Sequence, residues 1–231
     1  YGILKNLIKS LKKNKKIDFR LVVSGAHLSR KFGNTVDEII GDKIQIYKKI
    51  LINIDAQDEK NLNSAISSGI IKFSNFFSKE KPDKVIILGD RYELLTILVP
   101  AIIYKMKIIH FHGGEKTIGA IDEKVRNCIT QVSSLHITCH NNYKNRVIKM
   151  VGTNKNIYNF GSLALENITR EKYLSKSDLS KKFNVSFNKY NFFVTFHPPT
   201  QDLDYKDSFI KNLLNLMKSF DNINFFISYP A

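Results

Sequence analysis

Apolar positions recur at two spacings along this chain, and the two alternate. Ile3, Leu4, Leu7, Ile8 and Leu11 fall on one face of a 3.6-residue period, after which residues 19–23 read as a strand. Leu62, Ala65, Ile66, Gly69, Ile70, Phe73 and Phe77 predict a second helix that stops before Pro82, followed by a strand over 85–88. Leu94, Leu98, Ala101 and Ile102 predict a third helix ahead of a strand at 108–111. Ile121, Val125 and Ile129 predict a fourth, ahead of a strand at 135–139. Tyr143, Val147 and Val151 then lead to a strand at 157–160. Strand, helix, strand units with short links give a mostly parallel α/β sheet.

The pattern changes after this point. Residues 162–189 are polar and rich in Lys and Ser, with little room for another complete unit, so the domain boundary is placed there. That gives an N-terminal Rossmann-like domain over 1–165, and over 166–231 a linker with the start of a second domain. The second part holds a strand at 192–196, a helix through Phe209, Leu213, Leu216 and Phe220, and a strand at 223–227. Two strands and a helix bury little surface. The chain begins on a helix without a preceding strand, and its second domain has barely started when it stops. It therefore reads as a fragment cut at both ends.

Polar residues cluster where the apolar runs end. Leu88-Gly89-Asp90-Arg91-Tyr92-Glu93 leaves one predicted strand, and twenty-two residues after Asp90, His112-Gly113-Gly114-Glu115 leaves the next. In an open parallel sheet, ligands bind outside the carboxyl ends of the strands, so this pair locates a candidate site.

Each residue taken alone has a plainer role. Asp90 could cap the helix that follows, Gly113-Gly114 could be a flexible turn, Glu115 a solvated charge, and Asp122 a first-turn acid favoured by the helix dipole. His110 points away from its strand neighbour His112 and reads as core, while His136 and His140 read as structural.

The composition narrows the function classes. With 231 residues and 43% hydrophobic content, the chain can bury a sizeable core. A net charge of +15 invites a nucleic-acid reading. However, 30 of the 36 basic residues are Lys, and they scatter along the chain instead of forming a stripe. A basic polyanion-binding module is kept only as an alternative, and neither nucleic acid nor membrane is expected as a partner. No run reaches the roughly 20 apolar residues of a membrane span, and no signal peptide is recognisable, so a cytoplasmic location is expected. Cys128 and Cys139 read as reduced packing residues. No Cys/His spacing suggests a metal, and no Gly-x-Gly-x-x-Gly or Walker loop suggests a dinucleotide or phosphoryl-transfer site, so neither metal nor cofactor is expected.

Six stretches in order carry a resemblance. They are Ser24-Gly25-Ala26-His27-Leu28, Phe32-Gly33-Asn34-Thr35, Gly89-Asp90-Arg91-Tyr92-Glu93, His110-Phe111-His112-Gly113-Gly114-Glu115, Gly119-Ala120-Ile121-Asp122 and Phe196-His197-Pro198. Together they resemble the hydrolysing UDP-N-acetylglucosamine 2-epimerases, in particular the branch serving sialic and legionaminic acid synthesis. The resemblance implies two Rossmann-like domains facing each other across a cleft, the fold of many nucleotide-sugar glycosyltransferases. It also implies release of UDP and an N-acetylmannosamine-type sugar, with the nucleotide as part of the substrate, and a homodimer or homotetramer when the protein is complete. A glycosyltransferase on the same fold is the competing enzyme reading.

The chemistry of such a reaction explains the residue types. The C2 proton of the sugar is not acidic, so inversion proceeds by elimination of UDP to a glycal, followed by addition of water. A base near C2, a proton donor for the return, and cations for the departing diphosphate are all needed. By the resemblance, Asp90, Glu115, Asp122, His197 and His112 are the candidate acid/base and sugar-contacting groups. Arg91 would meet the diphosphate, His27 would lie near sugar or phosphate, and Gly113, Gly114 and Arg126 would line the substrate. Asp122 and Arg126, four apart at a helix start, can share a face. Either Glu115 or His112 could be the base.

Overall fold

The computed structural model describes residues 1–54, 58–170, 173–196 and 206–228. They form two compact units, Tyr1–Thr169 and Arg170–Ala231. Every strand pairing among the described residues is parallel, as the alternation of periods predicts.

In the first unit, α1 (Lys5–Lys13) leads to β1 (Val22–Ser24), and α2 (Val36–Gly41) leads to β2 (Lys48–Ile50). β1 and β2 pair with each other. The chain continues through α3 (Glu59–Glu80), β3 (Lys84–Leu88), α4 (Leu95–Ile103) and β4 (Lys107–Phe111). It completes the sheet through α5 (Ile121–Val132), β5 (Leu135–Thr138), α6 (Asn141–Val151) and β6 (Ile157–Asn159). The order β3-β4-β5-β6 follows the sequence, so the polar segments leaving β3, β4 and β5 emerge side by side at one edge.

Four elements lie outside those expected: α2, β2 and two helices after residue 162. β2 opens on two exposed lysines, and the two-residue alternation of buried Ile50, Ile52 and Ile54 with exposed Leu51 and Asn53 begins only at its last residue. The polar stretch after 162 holds two helices, α7 (Leu163–Arg170) and α8 (Lys176–Phe183). The latter is started by the Ser175 side chain, which accepts from the Asp178 amide. The second unit pairs β7 (Tyr190–Val194) with β8 (Ile223–Ile227) across α9 (Lys206–Lys218).

The main core joins Ile50, Ile52 and Ile54 to Phe73 and Phe77 of α3, Leu98 and Ala101 of α4, Ile87 and Ile108 of the sheet, and Val125 and Ile129 of α5. Each buried aliphatic side chain of this kind contributes roughly 1.5–3 kcal/mol relative to exposure. α5 is thus anchored from beneath while its first turn stands at the polar edge. A smaller cluster of Ile8, Val23, Val36, Ile39 and Ile44 fastens α1 and α2 beside β1.

Candidate active site

The hydrogen-bond ladder runs past the ends of the strands and carries the site with it. The Gly89 amide donates to Phe111 O at 3.1 Å, and the His112 amide donates to Ile137 O at 2.9 Å. Behind them, His110 is fully buried. Its Nε2 meets Gly89 O at 2.9 Å and its Nδ1 meets Thr130 Oγ1 at 3.2 Å. A carbonyl only accepts, so Nε2 carries the proton and the Thr130 hydroxyl donates to Nδ1. Burial pushes the His110 pKa down to about 4. His110 is therefore core, as its alternation with His112 suggests, and it fixes the carbonyl just before Asp90.

Asp90 is not a helix cap. The turn that follows begins at Arg91 without a side-chain cap, and the Asp90 carboxylate instead accepts from Arg126 Nη2. Arg126 lies in α5, is nearly excluded from solvent, and also donates from Nη1 to Thr117 Oγ1 at 3.1 Å. Burial raises the Asp90 pKa. Arg126 opposes the rise, while the negative charges of Asp122 and Glu115 add to it, so desolvation outweighs the ion pair. Arg126 of α5 thus reaches Asp90 directly, and Asp122, in the first turn of the same helix, reaches it electrostatically.

Glu115 is held rather than solvated. Its Oε1 lies 2.6 Å from His112 Nδ1 and accepts from Cys139 Sγ at 3.0 Å. Burial alone would raise its pKa, but the His112 and Cys139 hydrogen bonds and the nearby positive charge bring it below the ordinary value. The same contact, with burial first, pushes the Cys139 thiol up to about 12. Asp90 and Glu115 are thus driven in opposite directions, the condition under which two carboxylates take different acid/base roles.

Gly113 and Gly114 form a constrained turn. A Cβ on Gly114, at φ +80°, would stand 2.5 Å from Tyr143 O and 2.8 Å from Val147 Cγ2, and one on Gly113 would stand 3.0 Å from His110 Nδ1. Arg146 of α6 secures the loop further, donating from Nη1 to Gly114 O at 3.2 Å and Glu115 O at 2.8 Å, and from Nη2 to Glu123. Glu123 in turn accepts from the Thr117 amide at 2.8 Å.

Arg91 is half exposed, donates to Glu93 Oε1 at 2.7 Å, and lies over the Tyr92 ring. His27 sits in the turn after β1 with Nδ1 2.6 Å from Thr35 Oγ1. Burial lowers its pKa, and the positive charge of Arg91 contributes, so the β1 and β3 turns are electrostatic neighbours. Gly25 of the same turn approaches Glu93. His197 lies outside the described residues.

Cys139, Glu123 and Arg146 escape sequence reasoning. Cys139 was read as packing, yet its thiol engages Glu115. The only available signal was its place at the end of a predicted strand adjacent to that of His112. One ligand atom each from His112, Glu115 and Cys139 lie within 4.8 Å of one another, a spacing that could admit one thiophilic cation. The fold brings these three together although no sequence spacing announces them. Hydrogen bonds through Glu115 Oε1 already account for the cluster. Among the described residues, no helix is long and apolar enough to cross a membrane.

The sequence profile of a family described as UDP-N-acetylglucosamine 2-epimerase matches residues 9–231. The GDP/UDP-N,N'-diacetylbacillosamine 2-epimerase (hydrolyzing) of Campylobacter jejuni is 35% identical over 220 residues, covering 95% of this chain and 57% of that protein. The polysialic acid biosynthesis protein P7 of Escherichia coli is 35% identical over 227 residues, covering 98% of this chain and 58% of that protein. The chain thus spans a little under three fifths of the length of these relatives. Among solved structures, the Methanocaldococcus jannaschii UDP-GlcNAc 2-epimerase in complex with UDP-GlcNAc and UDP aligns with a TM-score of 0.76 and 18% identity. That alignment covers 98% of this chain and 62% of that one. The Rickettsia bellii UDP-N-acetylglucosamine 2-epimerase gives 0.74 and 22%, covering 98% of this chain and 58% of that one. These likenesses carry the α/β fold expected from the sequence. With the profile and the curated relatives, they lead to one assignment: this chain belongs to the UDP-N-acetylglucosamine 2-epimerase family.

Proposed function

We propose that the complete protein is a hydrolysing UDP-sugar 2-epimerase. It would take UDP-N-acetylglucosamine or a diacetylbacillosamine-type UDP-sugar to UDP and the free 2-epimeric sugar, an N-acetylmannosamine-type product for nonulosonate synthesis. One observation carries the reading. Asp90, His112 and Glu115 are gathered at adjacent strand ends, with Asp90 and Glu115 driven to opposite protonation tendencies. The name of the Campylobacter jejuni relative, a hydrolyzing 2-epimerase of a GDP/UDP-diacetylbacillosamine, supports it.

A base takes the proton from C2 while the C1–O bond to UDP breaks, leaving a C1=C2 double bond. Water then adds its hydroxyl at C1, and a proton enters C2 from the opposite face. Asp90, whose acidity burial weakens relative to Glu115, suits the return. His112 or Glu115 suits the abstraction. Arg91, His27 and Arg126 would supply positive charge and hydrogen-bond donors toward the diphosphate and sugar, Gly113 and Gly114 a close backbone approach, and Asp122 and His197 further polar contacts to the sugar. The reaction as written uses no redox cofactor and takes place in the cytoplasm, in a homodimer or homotetramer. The 231 residues alone are expected to be inactive, because by the resemblance much of the nucleotide site lies outside them.

Proton NMR in deuterated water tests the reading on the complete protein with each UDP-sugar. Free 2-epimeric sugar carrying deuterium at C2, with UDP released, is the expected result. Transfer to an acceptor without C2 exchange would instead identify a glycosyltransferase.

A further inference from the structure

We infer that His112 Nε2 is the base that takes the C2 proton, and that Glu115 is its positioning residue rather than the base itself. This rests on the epimerase reading and settles the choice between two neighbouring groups within it. His112 Nδ1 lies 2.6 Å from Glu115 Oε1, and the same oxygen accepts from the Cys139 thiol. A carboxylate only accepts, so the proton in the His112 contact belongs to Nδ1.

Nε2 is buried and has no hydrogen-bond partner among the described residues. An N–H there, in the Nε2–H tautomer or in the imidazolium, would be a buried donor without an acceptor among the described residues, so a bare lone pair leaves the fewest donors unmatched. The contacts therefore favour a proton on Nδ1 and leave Nε2 as the ring atom free to take another. Glu115 is occupied in a different way. Its Oε1 already receives two donors, and its backbone carbonyl is held by Arg146 at 2.8 Å. The two bonds to Oε1 favour the charged form and so weaken the carboxylate as a base, while the Arg146 contact only holds the backbone.

The backbone points the same way. His112 has φ 63°, a left-handed conformation that a non-glycine residue holds only where its surroundings enforce it. Here the enforcement comes from the His112 amide bonded to Ile137 O and from Gly114 pressed against Tyr143 and Val147. A carboxylate that orients an imidazole and sets its tautomer is the arrangement by which a histidine is made a directed general base. The charged and titratable groups acting on this dyad are Cys139, Arg126, His110 and Asp90.

Two measurements test the assignment. In the 231-residue chain, 15N-edited imidazole spectra, with His112→Gln to identify the signal, should show the Nδ1–H tautomer at neutral pH, released to a mixture in Glu115→Ala. An Nε2–H tautomer would overturn the proposal. In the complete protein, His112→Ala should lose C2 proton exchange by about 10³-fold, and added imidazole should restore part of it. Exchange in His112→Gln within about tenfold of the parent would overturn the role of His112. Absence of C2 exchange in the unaltered complete protein would refute the epimerase reading and the base role with it, whereas the tautomer measurement stands apart from that failure.

Discussion

His110 makes the folded state acid-sensitive in a way that can be computed from its burial. In the unfolded chain its imidazole takes up a proton near pH 6.5. In the folded chain burial holds it neutral down to about 4. Between these values the unfolded state carries more protons, so stability falls as pH falls through this window and is regained as pH rises above it. Integrating over the two values gives a loss of about 2 kcal/mol at pH 5 and about 3 kcal/mol at pH 4, relative to neutrality. His136 and His27 are also depressed by burial and act in the same sense, so the His110 share must be isolated by difference. His110→Gln keeps a donor for Gly89 O and cannot titrate. Urea unfolding of parent and variant between pH 7 and 5, followed by NMR amide signals of β3 to β6, should show the parent losing about 2 kcal/mol more than the variant. A gap that stays constant within about 0.5 kcal/mol over this range would refute the reasoning.

Three further outcomes follow from the contacts of the site. Gly114→Ala adds a methyl 2.5 Å from Tyr143 O at φ +80°, and should cost about 2–4 kcal/mol in a urea titration. Arg146→Ala frees the Gly114 and Glu115 carbonyls and leaves Glu123 with the Thr117 amide but without the guanidinium. Amide exchange at residues 112–118 should accelerate while α6 keeps its protection, and unchanged exchange would show that the clamp is idle. Asp90→Asn in the complete protein should lower turnover by about 10²–10⁴-fold with an unchanged circular dichroism spectrum, and a near-native rate would remove Asp90 from the chemistry.

Strand and helix periods made the frame legible where apolar residues dominate. The strand predicted at 223–227 is β8 as observed, and those at 85–88 and 108–111 fall within one residue of β3 and β4. The first strand, read over 19–23, is observed at Val22–Ser24. β2 stayed hidden because two of its three residues are exposed lysines that read as loop, and the alternation of Ile50, Ile52 and Ile54 continues past its end. α7 and α8 stayed hidden because few of their side chains are buried, so no strong apolar stripe marks them. At the site, the segments leaving β3 and β4 could be located because parallel topology brings successive strand ends together. Cys139 and Arg146 could not, since their importance lies in contacts 24 and 31 residues away in sequence, which no local pattern encodes.

The supports of the site are also supports of the fold, and this determines how it can vary. Arg126 is charged and nearly sealed from water, and a buried charge that loses its partner costs several kcal/mol. Asp90 is therefore fixed by a stability requirement as well as by any role in proton transfer. His110 holds the carbonyl before Asp90 and borders Gly113, so one imidazole in the core sets the spacing between the segments leaving β3 and β4. Glu115 is fixed by donors from its own loop, from the end of β5 and, through its carbonyl, from α6. Groups held in this way from behind reorganise little when charge develops in front of them, which is where preorganised sites gain their rate. Substitutions that loosen the shared supports should therefore affect chemistry and stability together, whereas replacing the His112 imidazole removes one donor to Glu115 and leaves its Cys139 and Arg146 contacts in place, so chemistry can be removed there with less loss of framework.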